Sequence, residues 1–418
     1  MQVCSTAFVG LGHAQARALG YPDLPIAVVP HPFGPHTRDQ VRELAGQCVE
    51  DIARLVREAP APGSARSATA AKRAAKVEIA DDADTLMRVF RERRWTDGLP
   101  IVLPTEARVG RMLQATARAP DEVIAAVAPG FGAATAELIA INAVMAGCDP
   151  EHLPVLIAAT EAVAAPEFNL QGIQATTNPA AVWLIVNGPI AAQLGMNAGI
   201  NCLGQGNWAN ATLGRALRLM LQNIGRALPG EMDRATQGQP GKYLFCCAEN
   251  EDQNPWQPLH VERGLKAEQS AVTVVGAEGT LNMNTHSKIA DEILRVFAET
   301  LARPSGNDYW YAGNPWLIIC PEHAEVLKAA GLTKAEVKRR LWQRSKLRAG
   351  NLTAKDFGRT QTARGAELGA ISPDTMLPIC PAPEGLGIIV AGGPGTHSVY
   401  VPSFGNTRAV TREVFCPA

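Results

Sequence analysis

Apolar and polar positions follow two rhythms along this chain, and the first sixty residues show both. "MQVC" (Met1–Cys4) and "IAVV" (Ile26–Val29) are short apolar runs of strand length. Between them "FVGLGHAQARALG" has helical spacing, and its glycines fall inside that pattern, which rules out a dinucleotide fingerprint. "HTRDQVRELAGQCVEDIARLV" then places Val41, Leu44, Cys48, Ile52 and Leu55 on one helical face, with Thr37 as the cap. Two strand–helix units with an apolar second strand predict parallel pairing.

"REAPAPGSARSATAAKRAAK" has no face that a core could use, and residues 58–80 read as a solvated linker. Structure resumes at Asp81. "DDADTLMRVFRERRW" predicts a capped helix, "TDGLPIVLP" a turn and strand, and "PTEARVGRMLQATAR" another helix. "GAATAELIAINAVMAGC" and "PEHLPVLIAATEAV" predict a helical hairpin, followed by β-like runs at "GIQATT" and "AVWLIVNG". A helix at "NATLGRALRLMLQNIG", strands at "KYLFCCA" and "SAVTVVGA", and a helix at "SKIADEILRVFAETLAR" come next. "PWLIICPEHAEVLKAAG" has strand–loop–helix form, and "LGIIVAGGPGTHSVYVPSFG" reads as two strands around a glycine loop. The fold class is therefore α/β: a small parallel unit over 1–57 and a larger mixed α/β region over 81–418, with room for two subdomains. No short internal repeat stands out.

Composition narrows the function. The chain has 418 residues, 46% hydrophobic and 19% charged, an ordinary globular balance. A net charge of −1 leaves no electrostatic footprint for nucleic acid. The most apolar stretch, Val123–Met145, is broken by Pro129, glycines and Glu137, so no membrane span is expected. No basic-then-apolar leader opens the chain. Nine scattered cysteines, an odd number without a CxxC, do not suit a disulfide framework. A reducing, cytoplasmic setting is expected, with most cysteines serving as small buried hydrophobes.

Three stretches could carry chemistry. Cys4, Ser5 and Thr6 end the first strand, and His31-Pro32-Phe33-Gly34 ends the second, at the carboxyl edge where such sheets bind ligands. There the following helix would stabilise a Cys4 thiolate as nucleophile or metal ligand, with His31 as base or orienting group. The plainer role is a helix cap from Ser5 or Thr6, with Cys4 packing. In "NAGINCLGQGNWANATLGR", Asn201, Asn207 and Asn210 offer donors and acceptors for a substrate, or Asn210 is a simple N-cap. In "FCCAENEDQNPWQPLH" adjacent cysteines point to opposite faces, so Cys247 is the one that shares a face with Glu249. Glu249 is the expected general acid/base, with His260 assisting. Cys4, Cys247, Glu249 and His260 are the candidate ligands for a transition metal such as Zn, Fe or Cu. "AGGPGTHSV" with His397 reads as an anion-holding turn or a hairpin, and His286, Glu137 and Asn142 are weaker candidates.

Residues 2–57, with strand-Cys-Ser/Thr, Leu-Gly-Tyr-Pro and Pro-His-Pro-Phe-Gly, resemble the second half of the UGSC family of thiol- or selenol-containing proteins. Members of that family typically carry a Sec/Cys-Gly-Ser-Cys motif in a preceding half, and no such motif occurs in this sequence. Residues 81–418, with "ATQGQPGKY" and "AENEDQNPWQPLHVERG", resemble large bacterial proteins with no established reaction. The UGSC resemblance implies redox or sulfur/selenium chemistry on a small molecule, with Cys4 the family-like cysteine. It also implies that the motif-bearing half was lost, lies on another polypeptide, or is replaced by the region that follows. The expectation is an enzyme on a small polar organic substrate using thiol or metal–thiolate chemistry, redox or C–S/C–N, sited between the two regions. The alternatives are a metal-dependent hydratase or hydrolase with Cys4 structural, and a non-catalytic subunit whose partner carries the motif. A homo-oligomer is expected.

Overall fold

Parallel pairing of β1 (Gln2–Ser5) with β2 (Ile26–Val29) sets Cys4 opposite Val28 and Ser5 opposite Val29, as the two apolar runs predict. The computed structural model describes residues 1–32, 36–58 and 73–416, so Phe33, Gly34 and most of the expected linker lie outside the described residues. Two helices, Val9–Ala18 and Arg38–Glu58, complete the small unit. Thr37 Oγ1 accepts the Gln40 N–H at 3.3 Å, which fulfils its capping role. The described end of the linker, residues 73–80, is mostly exposed and is anchored near its start. Arg73 pairs with Glu137 at 2.6 Å, and the same carboxylate accepts the Ala74 N–H at 2.9 Å.

The larger region opens with the helices Ala83–Glu92 and Glu106–Leu113, capped by Asp82 and Thr105. The expected strand at "PIVLP" does not form, because this extended segment joins no sheet and gives Val102 N–H to Met145 O at 3.1 Å. β3 (Val123–Val127) and β4 (Gly132–Thr135) make an antiparallel hairpin. The helices Ala136–Ala146 and Leu153–Val163 follow, apolar on all sides because they are buried. Gly147, at φ 92°, ends the first of them in the left-handed conformation that glycine adopts without cost. Among the described residues no single helix is long and apolar enough to cross a membrane. "GIQATT" was expected as β but lies in the helix Leu170–Ala175 and the turn after it. Asn169 starts that helix by accepting the Gly172 N–H at 3.2 Å.

The remaining strands are β5 (Ala181–Asn187), β6 (Cys246–Ala248), β7 (Ala271–Ala277), β8 (Leu281–Asn284) and β9 (Trp316–Ile319). A two-residue ribbon, β10 (Leu347–Arg348) with β11 (Met376–Leu377), precedes β12 (Gly387–Val390), β13 (His397–Val401) and β14 (Val410–Glu413). One sheet has the order β14-β7-β5-β6 and the other β8-β13-β9-β12. In both, the third strand has a parallel neighbour on one side and an antiparallel neighbour on the other. β8 follows β7 in sequence yet pairs with β13, and β14 follows β13 yet pairs with β7. The topology is thus a duplicated unit whose two copies exchange their last strands. At the crossing Ala277 bridges Ser403, while Glu278 N–H reaches Pro402 O (2.8 Å) and Phe404 N–H reaches Gly276 O (2.9 Å). The glycine loop after β12 is therefore no hairpin, since β9 lies between β12 and β13.

Strand alternation builds the layers. Trp183 and Ile185 of β5 meet Trp316, Ile318 and Ile389 between the sheets, with the two tryptophans edge to face at 5.9 Å. Leu184 and Val186 face Leu213 and Leu217 of the helix Trp208–Asn223 instead. Leu317 and Ile319 face Ile293, Phe297 and Leu341 on the far side. The outcome is helix–sheet–sheet–helix.

Candidate functional site

The carboxyl ends of the two parallel strand pairs meet. Glu249, just after β6, accepts the Val390 N–H of β12 at 3.4 Å, and Asn250 N–H reaches Val390 O at 2.8 Å. Asn187 has the parity of Trp183 and Ile185, and Glu249 that of Cys247, so both side chains point between the sheets. Asn187 Nδ2 donates to Glu249 Oε2 (2.7 Å) and to Glu251 Oε1 (2.9 Å), which also takes the Gly188 N–H at 2.7 Å. Among the described residues, Asn187 Oδ1 and His260 Nδ1 are buried with no hydrogen-bond partner. Buried polar atoms are satisfied as a rule, so these two mark positions where a water or a ligand atom can bind.

His260 is fully buried. Its Nε2 faces Ala267 O at 3.4 Å, and its Nδ1 lies 3.6 Å from Glu251 Oε1. Glu251, a sequence candidate for a metal ligand or acid/base alongside Glu249 and His260, is the member of this pair that reaches the surface. Glu249, the expected acid/base, is held on every side: Leu259 N–H, Asn254 Nδ2, Asn187 Nδ2 and Val390 N–H all donate to it. Burial pushes its pKa up. Its geometry is that of a brace between strand ends.

The three asparagines expected to bind substrate shape a loop instead. Asn207 caps the helix Trp208–Asn223 by accepting the Asn210 N–H at 2.9 Å, so that helix starts before Asn210, and its Nδ2 reaches Gly195 O at 3.0 Å. Asn210 accepts from Asn197 N–H (3.0 Å) and donates to Asn197 O (2.8 Å) and Cys202 O (3.0 Å). Asn201 turns the chain at φ 59° and donates to Gln205 O at 2.8 Å. Polar side chains around tight turns meet backbone groups first, because those lie closest.

What this loop delivers is Cys202. It is buried in the same apolar cluster as Cys247 of β6, where each thiol acts on the other's pKa. The Cys247 S–H, aided by the backbone N–H groups of Cys202 and Leu203, draws the Cys202 pKa below that of an ordinary thiol, against the effect of burial. The same interaction, with burial, holds Cys247 well above. Cys202 retains 7% exposure and Cys247 none. Cys247 lies two residues before Glu249, about 7 Å along the strand. The pair is distant in sequence and forms no CxxC. Its only sequence cue is the asparagine- and glycine-rich setting of Cys202.

In the N-terminal unit the structure joins Ser5 and His31, with Oγ and Nδ1 3.1 Å apart. Phe8 stands edge-on to the His31 ring at 5.8 Å, and the Arg234 guanidinium of the large region lies 5.9 Å from Phe8. Cys4 differs from expectation. A 3-10 turn, Thr6–Phe8, separates its strand from the helix, and Thr6 on it is exposed and caps nothing. The Cys4 thiol packs over Gly12, where a β-carbon would come within 2.8 Å of it, and burial raises its pKa. The expected metal set does not assemble: among the described residues no group of three or more His, Cys, Asp and Glu is placed to hold an ion. Cys4 lies in the small unit, Cys247 faces Cys202, Glu249 braces strand ends, and His260 faces Glu251.

The end of β9 carries a second polar chain. Ser398 Oγ stands 2.8 Å from His323 Nδ1 and accepts the Cys320 N–H at 3.1 Å, and His323 Nε2 reaches Thr285 O at 3.0 Å. Nearby His286 meets Thr396 Oγ1 at 2.7 Å and His397 meets Asn282 at 3.1 Å.

These features define a mixed α/β protein built on a duplicated, strand-exchanged double sheet, with an asymmetric dithiol at one strand end. Residues 1–58 match the family model of the UGSC family, and the match does not extend beyond them. No curated protein matches the chain.

Proposed function

We propose that this chain is an enzyme that reduces a small polar disulfide by thiol exchange at the ends of β5 and β6. The observation that carries the reading is that two thiols from distant segments, Cys202 and Cys247, are buried in one cluster with Cys202 the less buried of the two; the lowered pKa of Cys202 supports it. The Cys202 thiolate attacks one sulfur of the substrate disulfide, the substrate S–S bond breaks, and the first thiol leaves with a proton. Cys247 then gives up its proton and displaces the second thiol from the mixed disulfide, leaving a Cys202–Cys247 disulfide. Two electrons pass from the pair to the substrate. The Cys247 proton leaves with the second thiol, and Asn187 Oδ1 accepts a hydrogen bond from the substrate's polar end. The UGSC likeness of residues 1–58 supports sulfur chemistry, and we take those residues as the part that follows the family's motif.

The test uses the full chain with oxidised glutathione or cystine, following released thiol and the mass of Cys202- and Cys247-containing peptides. The native protein is expected to form the internal disulfide. Cys247→Ser should trap a mixed disulfide on Cys202, and Cys202→Ser should release no thiol. Exchange no faster than that of free cysteine would overturn the reading and favour a non-catalytic subunit.

A further inference from the structure

We infer that a small monovalent anion binds in a cavity at the amino end of β5, opposite the thiol site, held by Arg218 and Lys242. The cavity lies between the helix Trp208–Asn223, the first residues of β5 and the turn at Gly241. Arg218 and Lys242 bring charge to it, and Val182, Leu217 and Leu221 make much of the rest apolar. Its volume of about 10 Å³ admits roughly one water-sized species.

Charge balance is the argument. Lys242 Nζ pairs with Asp233 at 2.5 Å. Arg218 donates to Gln174 Oε1 at 3.1 Å and Ala227 O at 3.3 Å, both neutral. The carboxylates whose fields reach Arg218 are Asp233 and Asp97. Asp233 is held by Lys242, and Asp97 by Arg215 through bonds of 2.8 and 2.9 Å. Three cations, Arg218, Lys242 and Arg215, thus face two carboxylates, which leaves one positive charge over. Desolvation draws the pKa of Arg218 and of Lys242 down, the mark of cations with too little compensation. Both cations are partly buried, where an unbalanced charge is costly, and an anion in the adjoining cavity lowers that cost. The small volume and apolar walls exclude hydrated polyvalent ions. The two sources of such a charge are a free halide and the carboxylate of an organic ligand.

Thermal unfolding of the full chain at constant ionic strength tests this, with chloride, bromide, formate, acetate or the bulky gluconate as the anion. Small anions should raise the midpoint by at least about 2 °C over gluconate, and the rise should vanish in Arg218→Gln and in Lys242→Gln. If Arg218→Gln does not fold, Lys242→Gln alone carries the comparison. A response limited to halides, with an anomalous bromide peak beside Arg218 in crystals, identifies a free ion. An equal response to formate and acetate identifies a carboxylate. A gluconate response equal to chloride, or an undiminished rise in the variants, overturns the inference.

Discussion

The two sheets have the same strand order and end in the same space, yet their ends hold opposite kinds of chemistry. At β9, His323 is satisfied through both ring nitrogens, Ser398 links it to Cys320, and burial raises the Cys320 pKa. At β5 and β6, two buried polar atoms lack partners and one thiol is acidified by another. The closed network is a rigid brace, because a fully satisfied buried chain has one arrangement. The open cluster keeps acceptors for something outside the chain. Duplication therefore supplied one topology twice, and side chains at the strand ends divided it into a frame and a candidate site.

The largest contrast is expected from the cysteines. Cys202→Ser should lower disulfide exchange by at least about 100-fold, while Cys320→Ser should stay within about 2-fold, read as initial rates of thiol release. Equal losses would erase the distinction between the two ends.

The crossing that joins the copies should respond to pH. Burial raises Glu278 from 4.5 to about 7 and Asp308 from 3.8 to about 6. The folded chain then holds protons that the unfolded chain has released. Stability is fully present below about pH 4 and lost as pH climbs through 6 and 7, by roughly 3 kcal/mol for Glu278. Denaturation midpoints between pH 4 and 8 should fall in the native protein and fall less in Glu278→Gln.

Smaller effects sharpen the comparison further. His323→Ala strands Ser398 and the Thr285 carbonyl and should cost at least about 2 kcal/mol in urea unfolding, whereas His260→Ala strands only the Ala267 carbonyl and should cost less than His323→Ala. Asn207→Ala removes the cap of the helix behind Cys202 and should cost about 1 kcal/mol. Its main readout is slower alkylation of Cys202 once the loop no longer holds the thiol beside Cys247.

Much of the secondary structure was legible locally. The parallel N-terminal pair, the capped helices and the opposite faces of Cys246 and Cys247 all follow from spacing within a few residues. The failures were local too. The predicted strand at "GIQATT" ignored an asparagine able to start a helix, and "PIVLP" was apolar and extended but found no strand beside it. "NPAAVWLIVNGP" and "NPWLIICP" open the two copies of the repeat, yet too few residues are shared for a period to show.

By itself the sequence determined the α/β class, the elements with strong periodicity, and which cysteine shares a face with Glu249, because each depends on alternation within one segment. Only the tertiary structure decided the strand exchange, the meeting of Glu249 with Val390, and the pairing of Cys202 with Cys247. Those contacts join residues far apart in the chain, and no short-range pattern encodes which strand edge or loop will be brought against which.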